Sequence, residues 1–388
     1  MNAYNLNRFS AYLNEQGLQA ALLSNPATLT WLTRYAPPIQ TGPNPFEGGP
    51  ALGWWQDGQL TLVLSDGEAG AASALGAQVR DYMGFTVEPM LGMERQGKVL
   101  EEVLQASTPA AGKIGVELNF LPARLVPILH RAFHGATFQA LDGAFDRLRA
   151  IKSAEEVEKI RAALHLCDLA QATVAEQASS AAEASSAAEA AGGMSEIKLW
   201  GIIKAQLEAA AGGRLPVLAD LVAGTRTADI GGLPGGTILQ RGDPVIADIV
   251  PRLEGYWGDN AGTHFVGEPS TELKKIYHIV RETLRKGVEA IRPGLRAGDL
   301  DGMLRAEIEK HGYPVYPHHS GHGIGTTYHE EPRLVPGNPL ALEPGMIVAV
   351  EPGIYVPGVG GVRLEDVVLV TADGCQVLTT HLLKDADL

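Results

Sequence analysis

Two cysteines in 388 residues, Cys167 and Cys375, are too few for a disulfide framework or a thiolate zinc site, so a reducing compartment is the economical expectation. Long apolar runs are missing as well. No stretch approaches the roughly 18 uninterrupted apolar residues of a membrane span, and the segment from Met1 to Arg8 lacks the apolar run of a signal peptide. The expectation is a soluble, cytoplasmic protein with no membrane partner. Basic charge is in deficit, 31 Lys and Arg against 45 Asp and Glu, and a net charge of −14 repels phosphate backbones, which argues against nucleic acid as a partner. What is present is an ordinary globular balance, 45% hydrophobic and 20% charged, with chain enough for two domains at roughly 150 residues each.

The first part of the chain alternates helix-like and strand-like segments. Leu6, Phe9 and Leu13 sit three and four apart and stop at Gly17, which predicts a short amphipathic helix, and Ala20–Ser24 then predicts a strand. Ala51–Trp55 and Gln59–Leu64 flank Asp57 and Gly58, a pair that supplies positive φ in a tight hairpin turn. A helix near Lys98–Gln105, a strand at Lys113–Glu117, a helix after Pro122 and a strand at Thr137–Ala140 complete a small α/β domain. Between Tyr35 and Ala51, five prolines (37, 38, 43, 45 and 50) preclude regular structure, and the segment, with Phe46 and then Trp54 and Trp55, reads as a lid or contact arm that sets substrate length. Ser153 and Glu156 have capping-box spacing, and Val157, Ile160, Leu164, Cys167 and Val174 follow at helical intervals, so a long helix with Cys167 in the core opens a second domain. The repeat ASSAAE at 178–183 and 184–189 reads as an exposed low-complexity turn. Helices fit Thr271–Ile291 and Asp299–His311, each stopped by glycine.

The chemistry concentrates in two acidic hairpins. Val245–Val250 and Gly255–Val266 read as strands joined at Arg252–Glu254, and a midpoint near 253–254 sets Asp248 opposite Asp259. Ile347–Glu351 and Val362–Val370 surround a glycine- and proline-rich loop, Pro352–Gly361, whose midpoint brings Glu351 near Glu365. Like charges facing each other in strands this apolar ask for a common compensation. The loop from His318 to His329 supplies a further ligand, His322, between glycines at 321 and 323 that argue against a helix. Four carboxylates and one imidazole form an oxygen-rich set suited to two divalent ions such as Mn²⁺, Co²⁺ or Zn²⁺, with a bridging hydroxide as nucleophile.

These residues carry a resemblance. Asp248, Asp259 eleven residues on, His322 in its Gly-His-Gly setting, Glu351 in Val-Glu-Pro-Gly-Ile-Tyr and Glu365 in Val-Arg-Leu-Glu-Asp are similar to the pita-bread metallopeptidases, most of all the Xaa-Pro branch of prolidase and aminopeptidase P. The resemblance runs over residues 148 to 380 and is looser before that, where the chain resembles a creatinase-type N-terminal domain in organisation. It implies an α/β (α+β) fold with an N-terminal domain at 1–147, and at 148–388 a pita-bread catalytic domain whose curved antiparallel sheet is backed by helices. It also implies homodimers in which the N-terminal domain borders the partner's active site. Carried over by position, Asp248 chelates one ion, Asp259 and Glu365 bridge both, and His322 and Glu351 complete the second. Glu351 is also the expected proton shuttle, His318 and His329 hydrogen-bond the scissile group and the oxyanion, and Tyr355 and Arg363 are the supporting Tyr and Arg.

The sequence departs from that pattern in two places. The usual histidine ahead of the first aspartate is missing, with Ile230, Gly231 or Gly232 in its position and Arg226 or Asp229 as candidates to fill the gap. Ala261 stands where a threonine is usual. His264, an odd number of residues from Asp259, should face away. The expected activity is hydrolysis of the Xaa-Pro bond in dipeptides, a small peptide substrate. The alternatives are aminopeptidase P action on longer peptides, with Arg333 and the 37–50 segment as the groups that decide length, or a pita-bread binding protein with weakened catalysis.

Overall fold

The computed structural model describes residues 1–39, 48–84, 92–107, 112–183 and 193–381, which divide into two compact units, Met1–Arg149 and Ala150–Leu388. The first unit runs α1 (Ala3–Glu15), β1 (Leu18–Leu23), α2 (Pro26–Thr33), β2 (Leu52–Gln56), β3 (Gln59–Ser65), α3 (Asp66–Ala74), β4 (Gln78–Tyr82), α4 (Gly92–Gln105), β5 (Lys113–Val116), α5 (Val126–Ala132), β6 (Thr137–Ala140) and α6 (Ala144–Ala150). Its six strands pair in the order β4-β3-β2-β1-β5-β6, antiparallel through β1, β2 and β3 and parallel toward both edges. Both faces are covered. Along β1, Ala21 and Leu23 join the core with Phe9 and Trp31, whereas Ala20 and Leu22 join the opposite core with Leu100 and Leu129. Asp57 and Gly58 form the β2–β3 turn with φ of 50° and 78°, the positive values that the dipeptide predicts.

Trp54 and Trp55 are core residues, not part of a contact arm. Lying on β2, they point to opposite faces of the sheet; Trp54 stacks on Phe133 at 5.4 Å and Trp55 meets Phe9 edge-on at 5.9 Å. The predicted arm itself falls largely on residues 40–47, outside the described residues; at its end Tyr82 holds Gly49 by hydrogen bonds in both directions.

Glu117 is buried in this unit and accepts hydrogen bonds from the Ser24 and Asn25 amides and, at 2.5 Å, from the Thr28 hydroxyl. Burial outweighs these donors and pushes its carboxyl from 4.5 up to about 7. The folded state therefore holds this proton more tightly than the unfolded state. The associated stability is complete below pH 4.5 and is lost as pH rises through about 7. Glu117→Gln keeps an acceptor for the amides and offers a donor to Thr28. The expected outcome is a flatter dependence of the melting midpoint on pH across this window, measured by thermal scans of both proteins.

The second unit opens with Ser153 and Glu156 bonded reciprocally at the start of α7 (Ala154–Glu183), the capping box read from sequence. The helix includes the first ASSAAE copy, which is therefore no exposed turn: Ala178 and Ala182 are buried against α8 (Glu196–Ala211) and β7 (Val217–Ala223), and the second copy lies outside the described residues. Strands β8 (Pro244–Leu253), β9 (Tyr256–Trp257) and β10 (Asn260–Phe265) follow, then α9 (Thr271–Ala290) and α10 (Ala297–Lys310). The chain ends in β11 (Gly321–Gly323), β12 (Glu330–Leu334), β13 (Ile347–Val350), β14 (Gly353–Val356), β15 (Gly360–Arg363), β16 (Asp366–Val370) and β17 (Cys375–Val377).

All strand pairings of this unit are antiparallel: β10-β8-β7 with β9 on β8, β12-β11-β13-β16-β17, and the β14–β15 hairpin. Cys167 of α7 is buried under β8, and Ile276, Val280 and Leu304 of α9 and α10 back β13 and β16. Two segments expected to be loops contain strands. In β11 a Cβ at Gly321 or Gly323 would fall 2.0 Å from the Ala349 carbonyl oxygen and 2.2 Å from that of Glu331, so these glycines serve close backbone approach. Pro352–Gly361 is mostly hairpin, and there a Cβ at Gly361 would meet the Thr227 carbonyl oxygen at 2.3 Å.

Candidate metal centre

The four-stranded and five-stranded sheets of the second unit meet along a seam at Glu365. Its amide donates to the Ala261 carbonyl at 2.9 Å, its carboxylate accepts from the Ala261 amide at 2.7 Å, and its carbonyl accepts from Asn260 Nδ2. One step back, the Thr263 hydroxyl donates to the Arg363 carbonyl and accepts from the Arg363 amide. The seam thus delivers Glu365 and Arg363 from one sheet against Asp248 and Asp259 from the other.

The two acidic hairpins differ in how their registers compare with expectation. Val350 pairs with Asp366 and Gly353 with Arg363, so the register sets Glu351 against Glu365 as predicted. Asp248, however, pairs with Ala261, and Asp259 lies two residues along on the same face. The turn is Glu254 and Gly255, with φ of 48° and 86°, so the hairpin folds one residue later than a turn at Arg252–Glu254 would. Ala261 thus occupies the position facing Asp248.

Donor atoms of Asp259, His322 and Glu365, all buried, lie within 4.8 Å of one another. His322 Nε2 is 3.5 Å from Asp259 and 3.6 Å from Glu351. Its Nδ1 is 3.0 Å from the Gly323 carbonyl, which can only accept, so Nδ1 carries the proton and Nε2 offers a lone pair to the cluster. Burial, then His329, holds His322 well below the usual histidine range, hence neutral at pH 7. Burial and then its carboxylate neighbours push Asp259 and Glu365 well above theirs, and burial takes Glu351 to about 8. Asp248 Oδ1 and Glu365 Oε1 are buried with no hydrogen-bond partner among the described residues. Orphaned oxygens, crowded carboxylates and an aimed imidazole fit hard divalent cations.

The surrounding groups form a directed chain. Arg363 Nη2 donates to Asp248 at 2.8 Å, while Nη1 donates to the Ile230 carbonyl at 2.7 Å and to the Tyr355 hydroxyl at 3.2 Å. His318 Nδ1 is 2.7 Å from the His319 carbonyl and must be protonated; its Nε2, 2.9 Å from the Tyr355 hydroxyl, then accepts that proton. Burial lowers His318 to about 4, which keeps it in this neutral form. Both of its nitrogens are engaged, so it orients Tyr355. His329 is exposed in a cleft of 840 Å³ that also contains Asp248, Asp259, His322 and Glu351. Two groups went unnoticed in the sequence. His319 Nε2 is 3.0 Å from Glu351 Oε1, and its signal was the crowding of imidazoles at 318, 319 and 322. Asp220 lines the cleft from β7, a lone charge in an otherwise apolar strand.

The candidates for the missing histidine are placed elsewhere. Arg226 is ion-paired with Glu196, Asp229 is exposed and does not line the cleft, and the cleft wall at this point is Ile230. His264 faces α7, bonding Gln171 at 2.9 Å. The loop carrying the imidazoles is fixed from below, where Arg305 holds Asp301 and the His318 carbonyl, and Ser320 donates to Asp301. Beside His329, the buried ammonium of Lys152 meets Glu330 at 2.5 Å, both side chains 1% exposed. Lys152→Met removes the ammonium group from that buried carboxylate. It should cost about 3–5 kcal/mol in denaturant unfolding, and a loss below about 1 kcal/mol would assign the pair no structural weight.

Comparison with known proteins agrees with this geometry. The profile of Metallopeptidase family M24 matches residues 158–372, and that of the Creatinase/Prolidase N-terminal domain matches residues 5–151. An Xaa-Pro dipeptidase of Lactobacillus helveticus is 31% identical over 387 residues, 98% of each chain. The structure of an Xaa-Pro dipeptidase from Bacillus anthracis matches with TM-score 0.77 at 27% identity over 97% of both chains. An X-Pro aminopeptidase from Thermotoga maritima MSB8 matches with TM-score 0.79 at 22% identity over 97% of both, a likeness of fold alone. The fold and the donor set define a metallohydrolase, and the chain belongs to metallopeptidase family M24. Divalent metal ions are accordingly its cofactors.

Proposed function

We propose that this protein hydrolyses the bond between an N-terminal residue and proline in dipeptides. The observation that carries the reading is the convergence of Asp248, Asp259, His322, Glu351 and Glu365 at one cleft, in a chain that matches an Xaa-Pro dipeptidase along 98% of its length. Asp248 would hold one ion, Asp259 and Glu365 would bridge two, and His322 and Glu351 would complete the second. Bound ions, Mn²⁺ first and Co²⁺ or Zn²⁺ as alternatives, supply a Lewis acid and lower the pKa of the attacking water. Glu351 takes the proton of that water and gives it to the prolyl nitrogen as the bond breaks. His329 donates to the oxygen that becomes negative in the tetrahedral state. His318 holds Tyr355 and, through it, the Arg363 side chain that braces Asp248.

On this reading residues 148–388 form the catalytic domain and 1–147 the creatinase-like domain, and the enzyme works as a cytoplasmic homodimer on small peptides. Action on longer Xaa-Pro peptides, as by aminopeptidase P, is the second reading. Exposed Arg333, whose charge reaches His319, His322 and His329, is a candidate to close the far end of the cleft. The test is kcat/KM for Ala-Pro and Ala-Pro-Pro in the presence of Mn²⁺. Preference for Ala-Pro is expected, equal or better tripeptide turnover overturns the dipeptide assignment, and turnover of neither overturns Xaa-Pro hydrolysis.

A further inference from the structure

Asp220 lies directly across β7–β8 from Asp248, and facing like charges destabilise an antiparallel pair. Arg363 is the cation at hand, yet its Nη2 is 2.8 Å from Asp248 and 3.7 Å from Asp220, so its hydrogen bond goes to Asp248. Asp220 lies against the Gly231 backbone and turns to the cleft with its side chain 43% exposed. The neighbouring backbone makes room for it. A Cβ at Gly231 would sit 2.0 Å from Asp220 Oδ2. Ile230 stands at φ 78°, ψ −53°, a strained conformation for a β-branched residue, and Arg363 Nη1 holds its carbonyl. Strain at 230 and bare backbone at 231 together present one carboxylate to the cleft.

The charge balance indicates what that carboxylate meets. Asp248, Asp259, Glu351 and Glu365 match two divalent ions, and Arg363 gives its hydrogen bond to Asp248, which leaves the Asp220 carboxylate facing the cleft with no cation in hydrogen-bond contact among the described residues. A substrate with a free N-terminus brings such a charge about 2.5 Å from its scissile carbonyl carbon, two bonds away. We propose that Asp220 binds the α-ammonium group of the substrate's N-terminal residue and so restricts the enzyme to unblocked peptides. The proposal rests on the Xaa-Pro reading above. An ammonium–carboxylate hydrogen bond is charge-assisted and has the directionality to orient the residue against the ions.

The test compares Asp220→Asn with the wild type on Ala-Pro and on propionyl-proline, which differs only in having hydrogen in place of the ammonium. Hydrogen bonds to charged groups are worth enough for a tenfold to hundredfold effect. The wild-type preference for Ala-Pro in kcat/KM is expected to fall at least about tenfold in the variant, mainly through KM, and free alanine should inhibit the variant more weakly than the wild type. An unchanged ratio, with both substrates losing equally, means that Asp220 only supports the strand pair and overturns the proposal alone. A wild-type enzyme that turns over neither substrate overturns the Xaa-Pro reading and this proposal with it.

Discussion

Dialysis against a chelator should abolish turnover of Xaa-Pro dipeptides, and returning Mn²⁺ or Co²⁺ should restore it. The expectation follows from the crowding of charge at the seam between the two sheets. Asp259 and Glu365 are 4% and 1% exposed, and each is pushed up by burial and by the carboxylates around it. Arg363, the cation in contact with the cluster, is bonded to Asp248. Chelation therefore removes the positive charge that lets four carboxylates share one buried site as well as the Lewis acid for the reaction. A fall in the melting midpoint should accompany the loss of activity, since ions held at a hundred times their dissociation constant stabilise the fold by about 2.7 kcal/mol. Full turnover after dialysis, with metal content shown to be negligible, would sink the assignment.

How much of this was legible in the sequence depended on the length of chain between interacting residues. The β2–β3 turn at Asp57 and Gly58 and the capping box at Ser153 and Glu156 are local, and both stand where their chemistry predicts. Glu351 against Glu365 was readable because the hairpin between them keeps one register throughout. The Asp248 hairpin departs from its expected pairing by two positions because Gly255, which reads as the start of a strand, is half of the turn, with φ of 86°. A single step at the turn displaces the register by two, which preserves the face and exchanges the partner. The β11 glycines were legible as non-helical but not as a central strand, because close approach to Ala349 and Glu331 depends on residues far along the chain. Asp220 was out of reach for the same reason: its significance comes from pairing with Asp248, 28 residues away, and from the missing side chain at 231.

Glu351→Gln and His329→Ala should each remove most turnover while leaving the fold intact, and they should do so differently. The amide in Glu351→Gln keeps the shape of the buried side chain and an acceptor for His319 Nε2, which lies 3.0 Å from the carboxylate, but it cannot take a proton. Loss of a positioned acid–base group costs about a hundredfold or more in kcat. Because Glu351 is also an expected ion ligand, metal content must be measured on the variant: unchanged content with lost kcat isolates the proton transfer. His329 makes its contribution at the surface of the cleft. Partial desolvation within the cleft, helped by the Arg333 charge, outweighs the pull of Asp248 and lowers its pKa, so it is neutral at pH 7, with one N–H to donate. Removing one donor to a developing oxyanion costs about a hundredfold to a thousandfold. Its neighbour Glu330 stays anchored on Lys152, so His329→Ala should melt within a few degrees of the wild type and bind its full complement of ions. A variant of either kind that retained half of the wild-type kcat would remove that residue from the mechanism, and a His329→Ala protein that lost its ions would move the histidine from the substrate to the metal centre.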